Sequence, residues 1–253
     1  MAFHSSSPSS VAATPVFMLA GGLGTRLRAV ESGPKAIAPV ASRPFASYLL
    51  RLLARQGFTR VHLLLGVGAD AVRDALPELS RLSRLPLDAF TVSTETSPLG
   101  TGGAVALARE AAGEITLLVN ADSFAEAAYD AMLAEHRQRP DDRAVTLLAI
   151  WQEDRADYGG LLLDDDDRVR AFREKGERDP GWINGGAYLL SRRVIEELPP
   201  GASSLERELL PRLADGGRLY AHRSRGFFRD IGTPERLALA EAEFPAVAAR
   251  LGL

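Results

Sequence analysis

Residues 20–28 read AGGLGTRLR, directly after a short apolar run. Gly21, Gly22 and Gly24 let the backbone turn sharply and approach a ligand with no Cβ in the way. Successive backbone N–H groups in such a loop form an anion-binding concavity. Arg26 and Arg28 add fixed positive charge whose planar forks match phosphate oxygens. The same residues can also make a plain strand-to-helix turn with two solvated arginines. The loop is not a Walker A, because it has no GK[ST], and Leu27 stands where a dinucleotide fingerprint needs its third glycine.

Other charged residues stand where chemistry could use them. Lys35, in GPKAIAPV, follows Pro34 and could present a point charge to phosphate or simply lie in a loop. Asp122 follows the apolar run ITLLVN. Ligands of open α/β sheets bind at the carboxyl ends of strands, and a carboxylate there can hold Mg²⁺ against substrate phosphates or cap a following helix. Asp230, in FFRDIGTPE, could be a second carboxylate on the same metal or a loop residue salt-bridged to Arg229 or Arg236. FREKGE puts Glu174 and Lys175 at a strand end, and INGG offers the Asn184 amide with Gly185 and Gly186, fit for a turn or a sugar hydroxyl. The four acids at 164–167 read as a solvated hairpin tip and not as a metal cluster.

The elements that must position these residues alternate strand and helix. Strands are expected at 16–20, 61–65, 89–93, 115–120 and 145–151. Helices are expected at 44–56, 69–76, 102–110 and 125–139. VHLLL and ITLLV are continuous apolar runs, the mark of strands buried on both faces of a parallel sheet. The second half is more mixed: a hairpin at 160–163 and 169–172, strands at 186–190, 219–221 and 227–228, and helices at 205–214 and 234–244. The pattern implies one α/β domain over 15–253, with a mainly parallel sheet in its first half and a more mixed, antiparallel second half that builds a lid or pocket on the first. Residues 1–14 read as a disordered leader without the apolar core of a secretory signal.

Composition narrows the chemistry. The chain has no cysteine, which excludes disulfides, thiolate zinc sites and cysteine nucleophiles. Its four histidines are scattered, so a metal here would be a hard cation on oxygen ligands. A net charge of −3 gives no field toward nucleic acid or anionic membrane. No apolar run approaches the roughly 18 residues that cross a bilayer. These features point to a cytoplasmic protein, and an oligomer is compatible with them.

The order AGGLGTRLR, PKAIAPV, RPFASYLL, SPLGTGGA, LVNADS, FREKGE, WINGGAYLL and FRDIGTPE resembles the nucleoside-diphosphate-sugar pyrophosphorylases, from about residue 16 to 241. Within that family, PLGTGGA and FREKGE followed by INGGAYLL are most similar to the D-glycero-D-manno-heptose 1-phosphate guanylyltransferases of surface-polysaccharide pathways. The resemblance implies a Rossmann-like fold, a mixed, mainly parallel sheet flanked by helices with a smaller antiparallel subsheet on the acceptor side. It implies that Ala20, Gly21, Gly22, Gly24, Thr25 and Arg26 wrap a nucleoside triphosphate and that Lys35 sits near its α-phosphate. It implies Mg²⁺ on Asp122 and Asp230, and a sugar 1-phosphate on Lys175, with Gly159, Glu174, Asn184 and Gly185 at the sugar. Gly100, Thr101 and Gly102 would line the base pocket. One departure is Ala121, where the family commonly has glycine before the metal aspartate.

The implied reaction is nucleotidyl transfer with release of pyrophosphate. Glu95, in STETSPLGTGGA, is the acid nearest the expected base pocket. Guanine presents N1–H and an exocyclic amine on one edge, and a carboxylate accepts both, which favours GTP; Glu95 could instead cap a strand end. A uridylyl- or mannose-1-phosphate guanylyltransferase is the alternative within the family. A metal-dependent glycosyltransferase would need a DxD-like pair, for which 164–167 is the only candidate. A non-catalytic nucleotide-sugar-binding paralogue would lack Lys35, Asp122 or Asp230, and all three are present.

Overall fold

Side chains of a strand point alternately to its two faces, so a strand covered on both must be apolar at every position. The computed structural model, which describes residues 11–22 and 33–253, sorts these runs accordingly. Its strands are β1 (Val16–Leu19), β2 (Pro39–Val40), β3 (Arg43–Pro44), β4 (Val61–Leu65), β5 (Phe90–Thr94), β6 (Ile115–Asn120), β7 (Ser123–Ala125), β8 (Val145–Gln152), β9 (Gly160–Leu163), β10 (Val169–Phe172), β11 (Gly181–Ser191), β12 (Leu219–Ser224) and β13 (Phe228–Asp230). Val16, Met18, Leu63, Leu65, Leu117 and Val119 enter one core. Phe17, Leu64 and Leu118, which lie between them in sequence, enter the other.

Helices close both faces. Ala46–Arg55, Tyr129–His136 and Pro234–Leu251 cover the first core through Leu50, Leu53, Met132 and Phe244. Gly100–Leu107, Arg192–Glu196 and Leu210–Asp215 cover the second through Val105, Ile195 and Leu213. Among the described residues no helix is long and apolar enough to cross a membrane.

The nine-stranded sheet has two halves. In the order β6-β1-β4-β5 all neighbours are parallel. β11 then runs antiparallel to β6 and carries the sheet onward. Its first residues pair β9 along one edge and β8 along the other, and β12 lies parallel beside β8. The expected antiparallel subsheet is therefore an extension of the main sheet. Two further ribbons, β2–β3 and β7–β13, stand apart from it.

Several boundaries differ from the sequence expectation. The helix expected at 125–139 starts at Tyr129, because Ser123–Ala125 is drawn into pairing with β13. The helix expected at 69–76 ends at Asp74, and a second helix, Leu76–Ser83, begins there with a proline in its first turn. Leu205–Leu209 is a π-helical turn before Leu210–Asp215. The helix expected at 234–244 continues to Leu251 past Pro245. Residues 1–10 of the expected leader lie outside the described residues. Its last part is packed: Val11 is buried, and Thr59 and Arg60 donate to the carbonyls of Ala12 and Ala13.

Candidate active site

The carboxyl ends of β1, β4, β5 and β6 open onto a cavity of about 350 Å³. Gly21 and Gly22 follow β1, Val67 follows β4, Glu95 follows β5, and Ala121 and Asp122 follow β6; all line it. The chains leaving β1 and β4 cross in van der Waals contact. A Cβ on Gly21 would lie 2.8 Å from the Gly66 nitrogen, and one on Gly66 would lie 2.7 Å from the Gly21 carbonyl oxygen. Only glycine fits at this crossing. Glu95 is held beside it, its backbone N–H donating to Leu65 O at 2.9 Å and its Oε2 accepting from Leu99 N–H at 3.0 Å. Gly100 (φ 69°) and Thr101 form the far wall. Their helix is braced from behind, where Ser203 O accepts from Gly102 N–H at 2.9 Å.

A second cavity of about 520 Å³ opens beside the first. Lys175, Asn184, Tyr158, Glu206, Asp230 and Arg236 line it, and its wall is more polar. Gly22, Lys35, Asn120 and Asp122 line both cavities and form their common wall. β11 makes a bulge between Asn184 and Tyr188. There Asn184 Oδ1 accepts from Gly186 N–H at 3.0 Å and its Nδ2 donates to Tyr188 Oη at 2.8 Å, which fixes the amide.

The ribbon β7–β13 brings the two carboxylates together. Asp230 pairs opposite Ser123, and Ile231 N–H donates to Asp122 O at 3.0 Å. Residues more than a hundred apart in the chain thus face one cavity. Lys35 Nζ lies 2.8 Å from Asp122 Oδ2. Asp230 accepts from Gly232 N–H at 2.9 Å, Tyr158 Oη at 2.7 Å and Arg236 Nη1 at 2.8 Å. Burial, with the Asp230 charge adding to it, pushes the Tyr158 hydroxyl well above its ordinary pKa, so it remains a donor. Asp122 Oδ1 takes a long bond from Ser123 Oγ at 3.3 Å, which leaves lone pairs facing the cavity. Two carboxylates brought together by this ribbon are a hard, all-oxygen donor set of the kind Mg²⁺ uses when substrate phosphates complete its shell. The residues present fit such an ion.

Of the residues singled out from sequence, the structure brings Gly21, Gly22, Lys35, Glu95, Gly100, Thr101, Asp122, Lys175, Asn184 and Asp230 onto these two walls. Gly24, Thr25 and Arg26 lie outside the described residues. Ala20 is buried just behind the first cavity. Gly102, Gly159, Glu174 and Gly185 line neither cavity. Gly102 is packed on Ser203, and a Cβ on Gly185 would lie 2.8 Å from Ile150; both glycines serve packing. Glu174 is exposed on the loop before β11. The departure at Ala121 is accommodated: the residue is 3% exposed and its φ is not left-handed.

Sequence reasoning missed Asn120, Tyr158 and Glu206, and it offered Arg236 only as a salt-bridge partner of Asp230, the pair that the structure forms at 2.8 Å. Asn120 had a signal, since it ends the apolar strand that Asp122 follows. Glu206 is held by Thr101 Oγ1, 2.6 Å away across 105 residues, a contact no local pattern announces. Among the acids at 164–167, Asp164 closes its own turn and Asp167 is paired with β12. Asp164 Oδ1 accepts from Asp166 and Arg168 N–H at 3.0 and 2.8 Å, and Asp167 pairs with Arg223 at 2.6 Å.

Comparison with known proteins gives a consistent set of relatives. The pattern of the nucleotidyl transferase family matches residues 16–246. A mannose-1-phosphate guanylyltransferase of Mycobacterium tuberculosis is 38% identical over 233 residues, covering 89% of this chain and 63% of that protein. The D-glycero-alpha-D-manno-heptose 1-phosphate guanylyltransferase of Aneurinibacillus thermoaerophilus is 31% identical over 229 residues, covering 89% and 96%. The crystal structure of HddC from Yersinia pseudotuberculosis complexed with GMP-PN matches with a TM-score of 0.81 at 31% identity, covering 91% of this chain and 99% of that one. The chain spans about three fifths of the length of the curated mannose-1-phosphate guanylyltransferases it matches.

Proposed function

The chain belongs to the nucleotidyl transferase family, and on that premise we propose that it is a sugar-1-phosphate guanylyltransferase, moving GMP from GTP onto a sugar 1-phosphate with release of pyrophosphate. The observation that carries the reading is the common wall of Gly22, Lys35, Asn120 and Asp122 between an apolar cavity and a polar one. The nucleotide takes the first cavity, with Glu95 at the base and Gly21, Gly22, Gly24, Thr25 and Arg26 at the triphosphate. The sugar 1-phosphate takes the second, with Lys175 at its phosphate and Asn184 at its hydroxyls.

In the reaction, an oxygen of the sugar phosphate attacks the α-phosphorus in line. A new P–O bond forms, the bond from the α-phosphorus to the bridging oxygen breaks, and pyrophosphate leaves with the electron pair. The nucleophile is already an anion at neutral pH, so no general base is needed. The remaining problem is to hold two polyanions together, which calls for positioning and charge. Lys35 stands at the wall where they meet and neutralises the α-phosphate. Asp122 and Asp230 would hold Mg²⁺, which when bound supplies charge stabilisation to the reacting phosphates.

D-glycero-D-manno-heptose 1-phosphate is the favoured acceptor, because the heptose relative and this chain cover nearly the whole of one another. Mannose 1-phosphate is the second reading, favoured by the 38% identity of the mycobacterial protein. We place the reaction in the cytoplasm and its product among the donors used to build surface polysaccharide. The test is a matrix of four nucleoside triphosphates against heptose, mannose and glucose 1-phosphates, scored by pyrophosphate release with Mg²⁺. GTP with one of the first two sugars should dominate, and Glu95→Gln should lower the GTP:UTP ratio of kcat/KM. A preference for UTP overturns the guanylyl assignment, and no pyrophosphate with any pair overturns the activity.

A further inference from the structure

Arg155 is the one arginine among the described residues that is almost fully enclosed, 2% exposed. Its Nε donates to Asp179 O at 3.1 Å, and its Nη2 donates to Asp179 Oδ1 at 2.6 Å and to Glu177. Nη1 is buried with no hydrogen-bond partner. A Cβ on Gly181 would lie 2.9 Å from Nε, and one on Gly160 would collide with Nη1. Glycines thus stand at the starts of both β9 and β11 where the guanidinium needs room. An enclosed charge with one nitrogen unsatisfied is a poor device for stability. Its partners suggest another use.

Glu177 and Asp179 belong to the exposed segment 172–180, which carries Lys175. The tethers of that segment run to residues 154–160. Gly176 N–H donates to Ala156 O at 3.0 Å, Arg173 and Gly160 exchange both backbone bonds, and Arg155 makes the contacts above. Tyr158, in the anchoring stretch, lines the same cavity as Lys175. We propose that Arg155 is a positioning residue: it clamps the Lys175 loop against 154–160, so that the ammonium faces the acceptor cavity before substrate arrives. The inference rests on Lys175 being the group that holds the sugar phosphate. A long side chain on an untethered loop must be ordered at the moment of binding, and a clamp removes part of that cost beforehand.

The test uses Arg155→Met, Arg155→Lys and Lys175→Ala. Trypsin can cut the loop at Arg173, Lys175 and Arg178, and the sites are read by mass spectrometry. Cutting should be about tenfold faster in Arg155→Met and intermediate in Arg155→Lys. KM for the sugar 1-phosphate should rise roughly tenfold, the scale of one weakened charge-assisted contact, while KM for GTP stays within about twofold. Adding Arg155→Met to Lys175→Ala should cost little more, because both act through one ammonium. If Arg155→Met does not fold, Glu177→Gln, which leaves Arg155 paired to Asp179, should shift cutting and KM in the same direction by less. Unchanged cutting overturns the clamp. Faster cutting with equal rises in both KM values, or with none, overturns the positioning role. The cutting assay needs no turnover, so a wild type inactive on every substrate pair would sink the proposed function and leave the clamp to be judged alone.

Discussion

Asp122 and Asp230 are two negative charges forced onto one cavity, and neither stands uncompensated: Lys35 meets the first and Arg236 the second. These two cations offset the repulsion between the carboxylates. If the two carboxylates hold Mg²⁺, chelation should abolish turnover and added Mg²⁺ should restore it. Asp122→Asn and Asp230→Asn should each lower kcat by at least ~100-fold, the scale of losing one main charge stabiliser. Near-normal turnover in either variant would remove that residue from the metal. The two cationic subsites should separate in KM. Lys175→Ala should chiefly raise KM for the sugar phosphate and Arg26→Ala that for the triphosphate, each by about tenfold to a hundredfold. The opposite pattern would exchange the subsites. Asp122 was legible in the sequence because it follows an apolar run that reads as a strand, and Lys35, Lys175 and Asp230 because they stand in the short motifs GPKAIAPV, FREKGE and FRDIGTPE. Tyr158 was not, because it meets Asp230 across 72 residues, a gap that only the folded chain closes. Arg236, six residues from Asp230, was legible as its salt-bridge partner but not as part of the cavity wall.

At the scale of elements, the site depends on the ribbon β7–β13, and neither of its three-residue strands has a period to read. The sequence expectation therefore began a helix at 125, inside β7. What holds the ribbon is aromatic. Phe244, fully buried on Pro234–Leu251, packs against Phe124 of β7 at 5.3 Å between ring centroids and against Phe227, just before β13, at 5.9 Å. Tyr48 at 4.7 Å and Phe45 at 5.2 Å complete the cluster. Phe244→Ala should cost about 3–5 kcal/mol in urea unfolding, the range for a buried phenylalanine. It should also lower kcat at permissive temperature by loosening the strands that carry the carboxylates, with Phe244→Leu intermediate in both. A loss below about 1 kcal/mol would mean that the ribbon is held by something else.

For the whole molecule, the parallel half of the sheet was legible because strands covered on both faces leave continuous apolar runs. The antiparallel half was less so, because β11 spans 11 residues and changes partners along its length. The stability of that assembled sheet should depend on pH through His136. This residue is 6% exposed under β8, with Nδ1 2.9 Å from Thr146 Oγ1. Burial first, then the charges of Arg139 and Arg137, push its pKa down to about 4. In the unfolded chain it titrates near 6.5. Between those values the unfolded chain binds a proton that the folded one refuses, so stability is complete above about pH 6.5 and falls as pH drops toward 4. The full shift corresponds to roughly 3 kcal/mol. Urea unfolding of the wild type and of His136→Gln at pH 7.5 and 4.5 isolates the effect, since His62, shifted downward by burial as well, titrates in both proteins and cancels in the difference. The wild type should lose about 2–3 kcal/mol more than the variant over that interval. Parallel losses in the two proteins would show that His136 is already solvated in the native state, and that the interface between β8 and the helix Tyr129–His136 opens to water.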